Sequence, residues 1–171
     1  KINNYLGKKG RLDYDGRPIF NLACDELAKA MFDISSEIEI IPAHAWTPWF
    51  GIFGSMTGFD SIEEAFKEQA KHIHSFETGM SSDPDMNWRL SKLDKITLVS
   101  NSDSHSFWPW RIGREATIFD ADLKYESVVK AIRTGEGLAG TVETSPEYGK
   151  YHFDGHRTCG VGMEPVQSEK R

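Results

Sequence analysis

The sequence predicts an α/β fold with a mostly parallel sheet. Three observations point there. Helical and strand-like segments alternate along the chain, the strand-like segments are short apolar runs of the kind buried on both faces, and polar, chemistry-bearing residues gather just past the ends of those runs. In parallel α/β folds the carboxyl ends of the strands are where functional groups collect.

The elements follow in order. Residues 1 to 20 are polar and glycine-containing, and Asp15-Gly16-Arg17-Pro18 is a turn signal. Cys24, Leu27, Ala28, Met31 and Phe32 recur at helical spacing and form a core-facing stripe, which makes Cys24 a small core residue rather than a nucleophile. Ile38-Glu39-Ile40-Ile41 reads as a strand stopped by Pro42, delivering His44 just beyond its end. Thr47 to Phe59, with one proline, three glycines and four large aromatic residues, reads as a loop folded over something.

Ser61 and Glu64 form a capping box for a helix whose buried face is Ile62, Ala65, Phe66 and Ala70. Lys71 to Glu77 is a strand, and Glu77 lies at its end. A polar loop around Asp83-Pro84 leads to a short helix over Met86–Leu93. The apolar run Ile96 to Ser100 is the next strand, and Asn101-Ser102-Asp103-Ser104-His105 follows it directly. A strand at Ala116–Phe119, a helix through Val128, Val129 and Ile132 closed by Gly135, and a strand at Leu138–Val142 complete the alternation.

At 171 residues and 39% hydrophobic, the chain is long enough for one domain with a core. No apolar stretch approaches the roughly 20 residues of a membrane span, and no signal peptide opens it. The expectation is a cytoplasmic protein with no membrane partner. Two cysteines give no disulfide framework and fit a reducing compartment. The opening Lys1-Ile2-Asn3-Asn4 reads as the middle of a longer sequence. A net charge of −6 argues against a uniformly basic nucleic-acid-binding surface but leaves room for a local one, to which Lys8, Lys9, Arg11, Arg17 and Arg89 are candidates.

His44, Glu77, Asp103 and His105 share one predicted end of the sheet. Imidazole and carboxylate together suit a divalent metal such as Zn²⁺ or Mn²⁺, at bond lengths of about 2.0–2.2 Å for zinc. Such an ion polarises a phosphoryl oxygen and acidifies a water, and a second ion about 4 Å away would stabilise the leaving oxygen of a phosphate ester. His72 and His74 offer further nitrogen donors if they alternate on one strand face. No Gly-x-Ser-x-Gly, Walker or dinucleotide fingerprint occurs, which leaves serine hydrolases, NTP-driven motors and dinucleotide oxidoreductases without support. Trp46, Trp49, Phe50, Phe53, Trp88, Trp108 and Trp110 share loops with the candidate ligands. They either anchor those loops to the core or offer faces on which bases stack.

Strand-end His44, the Ser102-Asp103-Ser104-His105 motif and the alternating pattern resemble the polymerase-and-histidinol-phosphatase (PHP) metal-dependent phosphoesterases. Within that superfamily, Ile41 to Trp49, Glu77-Thr78-Gly79-Met80-Ser81-Ser82-Asp83-Pro84 and Asn87-Trp88-Arg89-Leu90-Ser91 look like the endonuclease Q family, and the likeness continues through Ser100 to His105 and His152 to Cys159. The resemblance implies the C-terminal portion of a distorted (β/α)7 PHP barrel over residues 1–144. Residues 145–171 would then be a linker and the start of a truncated zinc-binding module.

It also implies an endonuclease that incises DNA 5′ of a deaminated base in repair, with Zn, Mn or Mg as cofactor and DNA as partner. Carried over by position, His44, Asp103 and His105 match metal ligands, and Glu77 is either a ligand or a group bonded to one. Asp103 and Glu77 are the catalytic candidates. Asn87 and Arg89 would meet phosphate, Trp49 and Trp88 an extruded base, and Cys159 would be the first ligand of the zinc module. The PHP pattern also calls for a His-x-His pair upstream of the His44 position, which this chain lacks, and the fragment alone is expected to be inactive. His72-Ile73-His74 imitates that pair from a different part of the pattern. The alternatives are a PHP-type phosphatase of a small phosphomonoester and a non-catalytic nucleic-acid-binding module.

Overall fold

The computed structural model describes residues 1–13, 18–149 and 151–168. The turn expected at Asp15-Gly16-Arg17 lies outside the described residues. A short helix α1 (Ile2–Leu6) opens the chain, and the amphipathic stripe folds as α2 (Cys24–Ile34), burying Ala28 and Met31. Helix α3 (Ile62–Phe66) starts as its capping residues require, with the Ser61 hydroxyl accepting from the Glu64 N–H at 3.1 Å. It is shorter than its apolar face suggests. Lys67, at φ 47°, ends it, and residues 67–72 continue as a 3₁₀ turn.

Strand β1 (Ser75–Glu77) pairs in parallel with β2 (Thr97–Val99), Ser75 opposite Thr97 and Glu77 opposite Val99. Between them, α4 (Pro84–Trp88) is capped by the Asp83 carboxylate, which accepts from the Met86 N–H at 2.8 Å, and Pro84 occupies the first turn, where its missing N–H costs nothing. Cap and proline together start this helix earlier than its apolar residues predict. Leu90 leaves the helical region, so Ser91–Leu93 forms a separate 3₁₀ turn.

Strand β3 (Ala116–Phe119), helix α5 (Tyr125–Thr134) and strand β4 (Leu138–Val142) follow, with β3 and β4 antiparallel. Hairpin β5 (Asp154–His156) and β6 (Val161–Met163) precede a last turn of helix, α6 (Pro165–Ser168). Among the described residues the strands therefore pair as three two-stranded sheets, of which only β1–β2 is parallel, in place of the single mostly parallel sheet the alternation predicts. The chain reverses after α5 through Gly135 and Gly137, at φ 75° and 88°. These positions favour glycine, and β4 returns antiparallel to β3.

The strand expected at Ile38–Ile41 does not form. Pro42, with no N–H, ends any ladder there, and what remains is a pair of bonds to β1: Glu77 N–H to the Pro42 carbonyl at 2.9 Å and Ala45 N–H to the Glu77 carbonyl at 3.1 Å. The core lies under these bonds. Phe76 is fully buried and meets Phe53 edge to face at 5.6 Å, and Phe53 meets Trp46 at 4.8 Å. Each such ring contributes roughly 1.5–3 kcal/mol by leaving water. The loop over Thr47–Phe59 is thus folded inward around Phe53. Gly51 lies so close to the carbonyls of His44, Ala45 and Thr47 that a Cβ there would stand 2.6–2.8 Å from them. Among the described residues, no helix is long and apolar enough to cross a membrane.

Candidate active site

Strands β1 and β2 run side by side and end together, and the residues that follow them converge with His44. Glu77, only 5% exposed, is the hub. Its Oε2 accepts from the backbone N–H of His44 at 3.0 Å and from the ring Nδ1 at 2.7 Å, while its Oε1 accepts from the Asn101 side-chain amide at 3.1 Å. Burial, the largest single influence, pushes the Glu77 carboxyl up. The bonds from His44 and Asn101 outweigh it and hold the group below its ordinary range. The Glu77 bond raises His44 above its ordinary value, burial opposes this, and the charges of Glu77 and Asp103 add to the rise.

With Nδ1 donating to Glu77, the neutral ring of His44 carries its lone pair on Nε2. That nitrogen lies 3.2 Å from Asp103 Oδ2. A lone pair facing a carboxylate oxygen at this distance is repulsive unless a cation lies between them, either a proton or a metal ion. The carboxylate–histidine pair on the far side of the ring is the arrangement that orients histidine ligands of metals. His105 stands beside it, its Nδ1 2.7 Å from the Asp103 carbonyl and 3.8 Å from the Asp103 carboxylate. Donation to the carbonyl leaves the His105 Nε2 as the free acceptor. Among the described residues no three His, Cys, Asp or Glu side chains converge as a complete ligand set. The donor chemistry of the pair nevertheless fits a divalent cation.

The backbone is unusual at the same two residues. His44 and Asp103 have φ of 42° and 45°, two of the four non-glycine residues with positive φ among those described. Left-handed backbone is tolerated best by Asn, Asp and His outside glycine, and it persists where the surroundings hold it. His44 is held by its N–H bond to Glu77, by the Thr47 N–H and by the Thr47 hydroxyl, the last two on its carbonyl at 3.0 and 2.9 Å. Gly79, at φ 55°, passes over the pair, and a Cβ there would sit 3.4 Å from both Glu77 Oε2 and His44 Nδ1.

Behind the site, Glu143 on the chain after β4 accepts from the hydroxyls of Thr78 and Ser100, each at 3.0 Å. Burial pushes this carboxyl up, against the hydroxyls that bond to it. Thr117 on β3 accepts the Ser100 N–H and donates to the Ser100 carbonyl, so the ends of β1 and β2 are fastened to both strands of the second sheet.

The other predicted residues are placed as follows. Asn87 is 1% exposed, its carbonyl oxygen accepting from the Trp46 indole at 2.7 Å and its amide donating to the Ser82 hydroxyl and the Asp83 carbonyl. It holds Trp46 under the site instead of facing solvent. Arg89 pairs with Asp154 at 2.9 Å and reaches the Ser168 hydroxyl. Trp49 and Trp88 are largely exposed, whereas Trp46 packs on Phe53. Cys159 lies at the β5–β6 turn with His156 Nδ1 3.2 Å from its Sγ.

His72 falls in the 3₁₀ turn and His74 before β1, so they do not alternate on a strand. His74 bonds Glu39 at 2.8 Å, and both histidines border a cavity of about 260 Å³ at the start of β1, away from Glu77.

Sequence reasoning overlooked Asn101, although it opens the motif, and Arg114. The Arg114 Nε donates to both oxygens of the buried Glu115 carboxylate, and its Nη2 reaches the Ser102 carbonyl next to Asp103 and the Met80 sulfur next to Gly79. The Arg-Glu dipeptide at 114–115 was the available signal.

This geometry defines an α/β chain with a carboxylate–histidine cluster at the paired ends of two parallel strands, and comparison with known proteins gives it relatives. Its structure is similar to that of the lesion-specific endonuclease PfuEndoQ from Pyrococcus furiosus, with a TM-score of 0.75 and 30% identity over 99% of this chain and 42% of that one. It is also similar to an endonuclease Q in complex with a 27-mer duplex substrate bearing an abasic lesion at the active site, with a TM-score of 0.70, 26% identity and the same shares covered. In sequence it is 30% identical to the uncharacterized protein MJ0043 of Methanocaldococcus jannaschii over 167 residues, 94% of this chain and 20% of that protein. It is also 30% identical to the uncharacterized protein YqxK of Bacillus subtilis over 131 residues, 75% of this chain and 32% of that protein. The chain thus spans less than half the length of each relative. No protein-family model matches it.

Proposed function

We propose that this chain is part of a metal-dependent phosphodiesterase that incises DNA at deaminated bases, with residues 1–144 belonging to a PHP-type barrel and residues 145–171 leading into a zinc-binding module that includes Cys159. The observation that carries the reading is that His44 Nε2 lies 3.2 Å from Asp103 Oδ2, with Glu77 bonded to the other ring nitrogen. Similarity to a lesion-specific endonuclease and to an endonuclease Q bound to a DNA duplex supports the choice of substrate.

His44 and Asp103, with His105 beside them, would hold a Zn, Mn or Mg ion. When bound, such an ion supplies Lewis-acid polarisation of a phosphoryl oxygen and a more acidic water. The chain's own residues do the rest. Glu77 keeps the Nδ1 proton of His44 in place, so Nε2 stays a donor of electrons, and Asn101 keeps Glu77 from rotating. Arg114, whose charge is balanced by Glu115, holds its Nη2 donors beside Ser102 and Asp103, where a phosphate would approach. Asn87 acts through Trp46, and Arg89 meets phosphate only by exchanging its bond to Asp154. Trp49 and Trp88 are exposed and available to a base taken out of the stack.

The test is strand cleavage of a duplex with a single uracil by the protein at its natural length, with Mn²⁺, Mg²⁺ or Zn²⁺ added. Incision on the 5′ side is expected, and Asp103→Ala should lower it at least 100-fold, as expected for loss of a charge-stabilising group. No incision with any of the three metals, or incision undiminished in Asp103→Ala, overturns the reading. Faster turnover of a generic phosphomonoester than of the uracil duplex selects the phosphatase instead.

A further inference from the structure

Two residues past His105 the chain enters Phe107-Trp108-Pro109-Trp110, whose three rings stack on one another away from the core. Phe107 and Trp108 lie with centroids 5.5 Å apart and planes at 25°, and Trp108 and Trp110 at 5.1 Å and 12°. They are 82%, 50% and 68% exposed, and Ile112 beside them is also exposed. The turn that carries them is closed by the N–H groups of Arg111 and Ile112 on the Trp108 carbonyl. A contiguous aromatic surface held open to water is costly, and such surfaces mark binding sites.

We propose that this ladder is a stacking platform for unpaired bases of a DNA strand passing the His44–Asp103 site. The choice of DNA rests on the nuclease reading above; the choice of unpaired bases rests on the ladder itself. The inner faces of the rings cover one another, which leaves the outer faces of Phe107 and Trp110 free. Only a base whose own face is free can lie on them, and within a duplex each base face is covered by its neighbours.

Charge agrees with this occupant. The chain as a whole carries −6 and repels a polyanion, yet the ladder is followed directly by Arg111, which is exposed. Reach agrees too. Trp108 follows Asp103 by five residues, at most about 18 Å of extended chain, or about five base steps of 3.4 Å along a strand. A strand stacked on the ladder therefore passes the site within a few nucleotides.

The test uses the chain with Trp108→Ala and Trp110→Ala together, exposed positions whose truncation leaves the core intact, and a Trp108→Phe/Trp110→Phe control. Fluorescence anisotropy measures binding to a labelled thymidine homo-oligonucleotide and to an intact duplex of the same length. Loss of base stacking predicts about 5- to 150-fold weaker binding of the single strand by the alanine pair. Less than a twofold change on the duplex and near-native binding by the phenylalanine pair are expected alongside it.

Unchanged single-strand binding overturns the proposal, as does an equal loss on strand and duplex. Loss of self-association in the alanine pair without any change in DNA binding overturns it in favour of a protein contact. Uracil-duplex incision by the same variants at natural length separates the two readings. Incision by the unmodified protein with ladder-independent strand binding removes the ladder alone. Ladder-dependent binding with no incision under any metal removes the nuclease alone.

Discussion

Replacing Glu77 by Gln exchanges one carboxylate oxygen for an amide and tests the hub of the site. Glu77 accepts three hydrogen bonds, two of them from His44 and one from Asn101, and it has nothing to donate. Gln has one acceptor and one donor. With its oxygen on the two N–H groups of His44, the Gln N–H₂ faces Asn101, whose exposed amide turns over to accept from it. The loss is then the charge on the bond from the His44 ring, about 1.5–3 kcal/mol, offset in part because a neutral amide costs less to bury. A net loss of about 1–3 kcal/mol is expected.

In urea, with a slope of roughly 2 kcal/mol/M, the unfolding midpoint should fall by about 0.5–1.5 M. The pH dependence has a definite sign. Glu77 is held below its ordinary value, so its contribution is present above about pH 4.5 and is lost as pH falls through the folded value. His44 is held above its ordinary value, so its contribution is present below about pH 6.5 and is lost as pH rises through the folded value. In chelator-treated protein the gap between the two proteins should therefore be widest between about pH 4.5 and 6.5. Equal midpoints at about pH 5.5, or a gap that widens steadily into alkali, would refute the reasoning.

Other substitutions test the supports around this hub. Phe76→Ala removes a fully buried ring next to Glu77 and should cost about 3–5 kcal/mol in chemical unfolding; a loss below about 1 kcal/mol would mean the ring is not packed as described. Gly79→Ala forces a side chain into a left-handed position at φ 55° and should cost about 1–2 kcal/mol, read as a lowered Tm; an unchanged Tm counts against that backbone. Glu143→Gln should behave unlike Glu77→Gln, because its partners are hydroxyls that can donate or accept. The Glu143 carboxyl is raised by burial, so its favourable contribution is present below its unfolded value and lost as pH rises through the folded value. Unfolding midpoints measured from pH 4 to 8 should therefore shift in favour of Gln with rising pH, and parallel profiles would contradict this.

Helices α2 and α5, the Ser61 cap, and strands β2, β3 and β4 were legible because each depends on neighbours along the chain: a periodic stripe, a hydroxyl three residues before an N–H, a short apolar run. The positions of Glu77, at the end of β1, and of Asp103 and His105, past the end of β2, were legible for a related reason, since each is set by where a short apolar run stops. His44 reached the same place without the strand that was to deliver it. Two bonds from Pro42 and Ala45 to Glu77 suffice, and no local pattern announces them.

Strand direction was not legible either. Alternating helices and strands fit a crossover or a reversal equally well, and no residue pattern between β3 and β4 tells the two apart. Asn87 was expected to meet phosphate, and it is buried. It is instead the partner of an indole 41 positions earlier, a contact invisible to spacing. Arg114 escaped notice because its value comes from buried Glu115 and from Ser102, not from any motif.

The left-handed backbone at His44 and Asp103 bears on how this chain can vary. At most positions one polar residue can be exchanged for another on chemical grounds alone. Here Asp103→Glu keeps the charge but moves a longer side chain into a conformation that disfavours it, and His44→Gln does the same at its partner. Drift at these two positions is therefore confined to the few residue types that tolerate left-handed backbone, whatever chemistry the side chains carry.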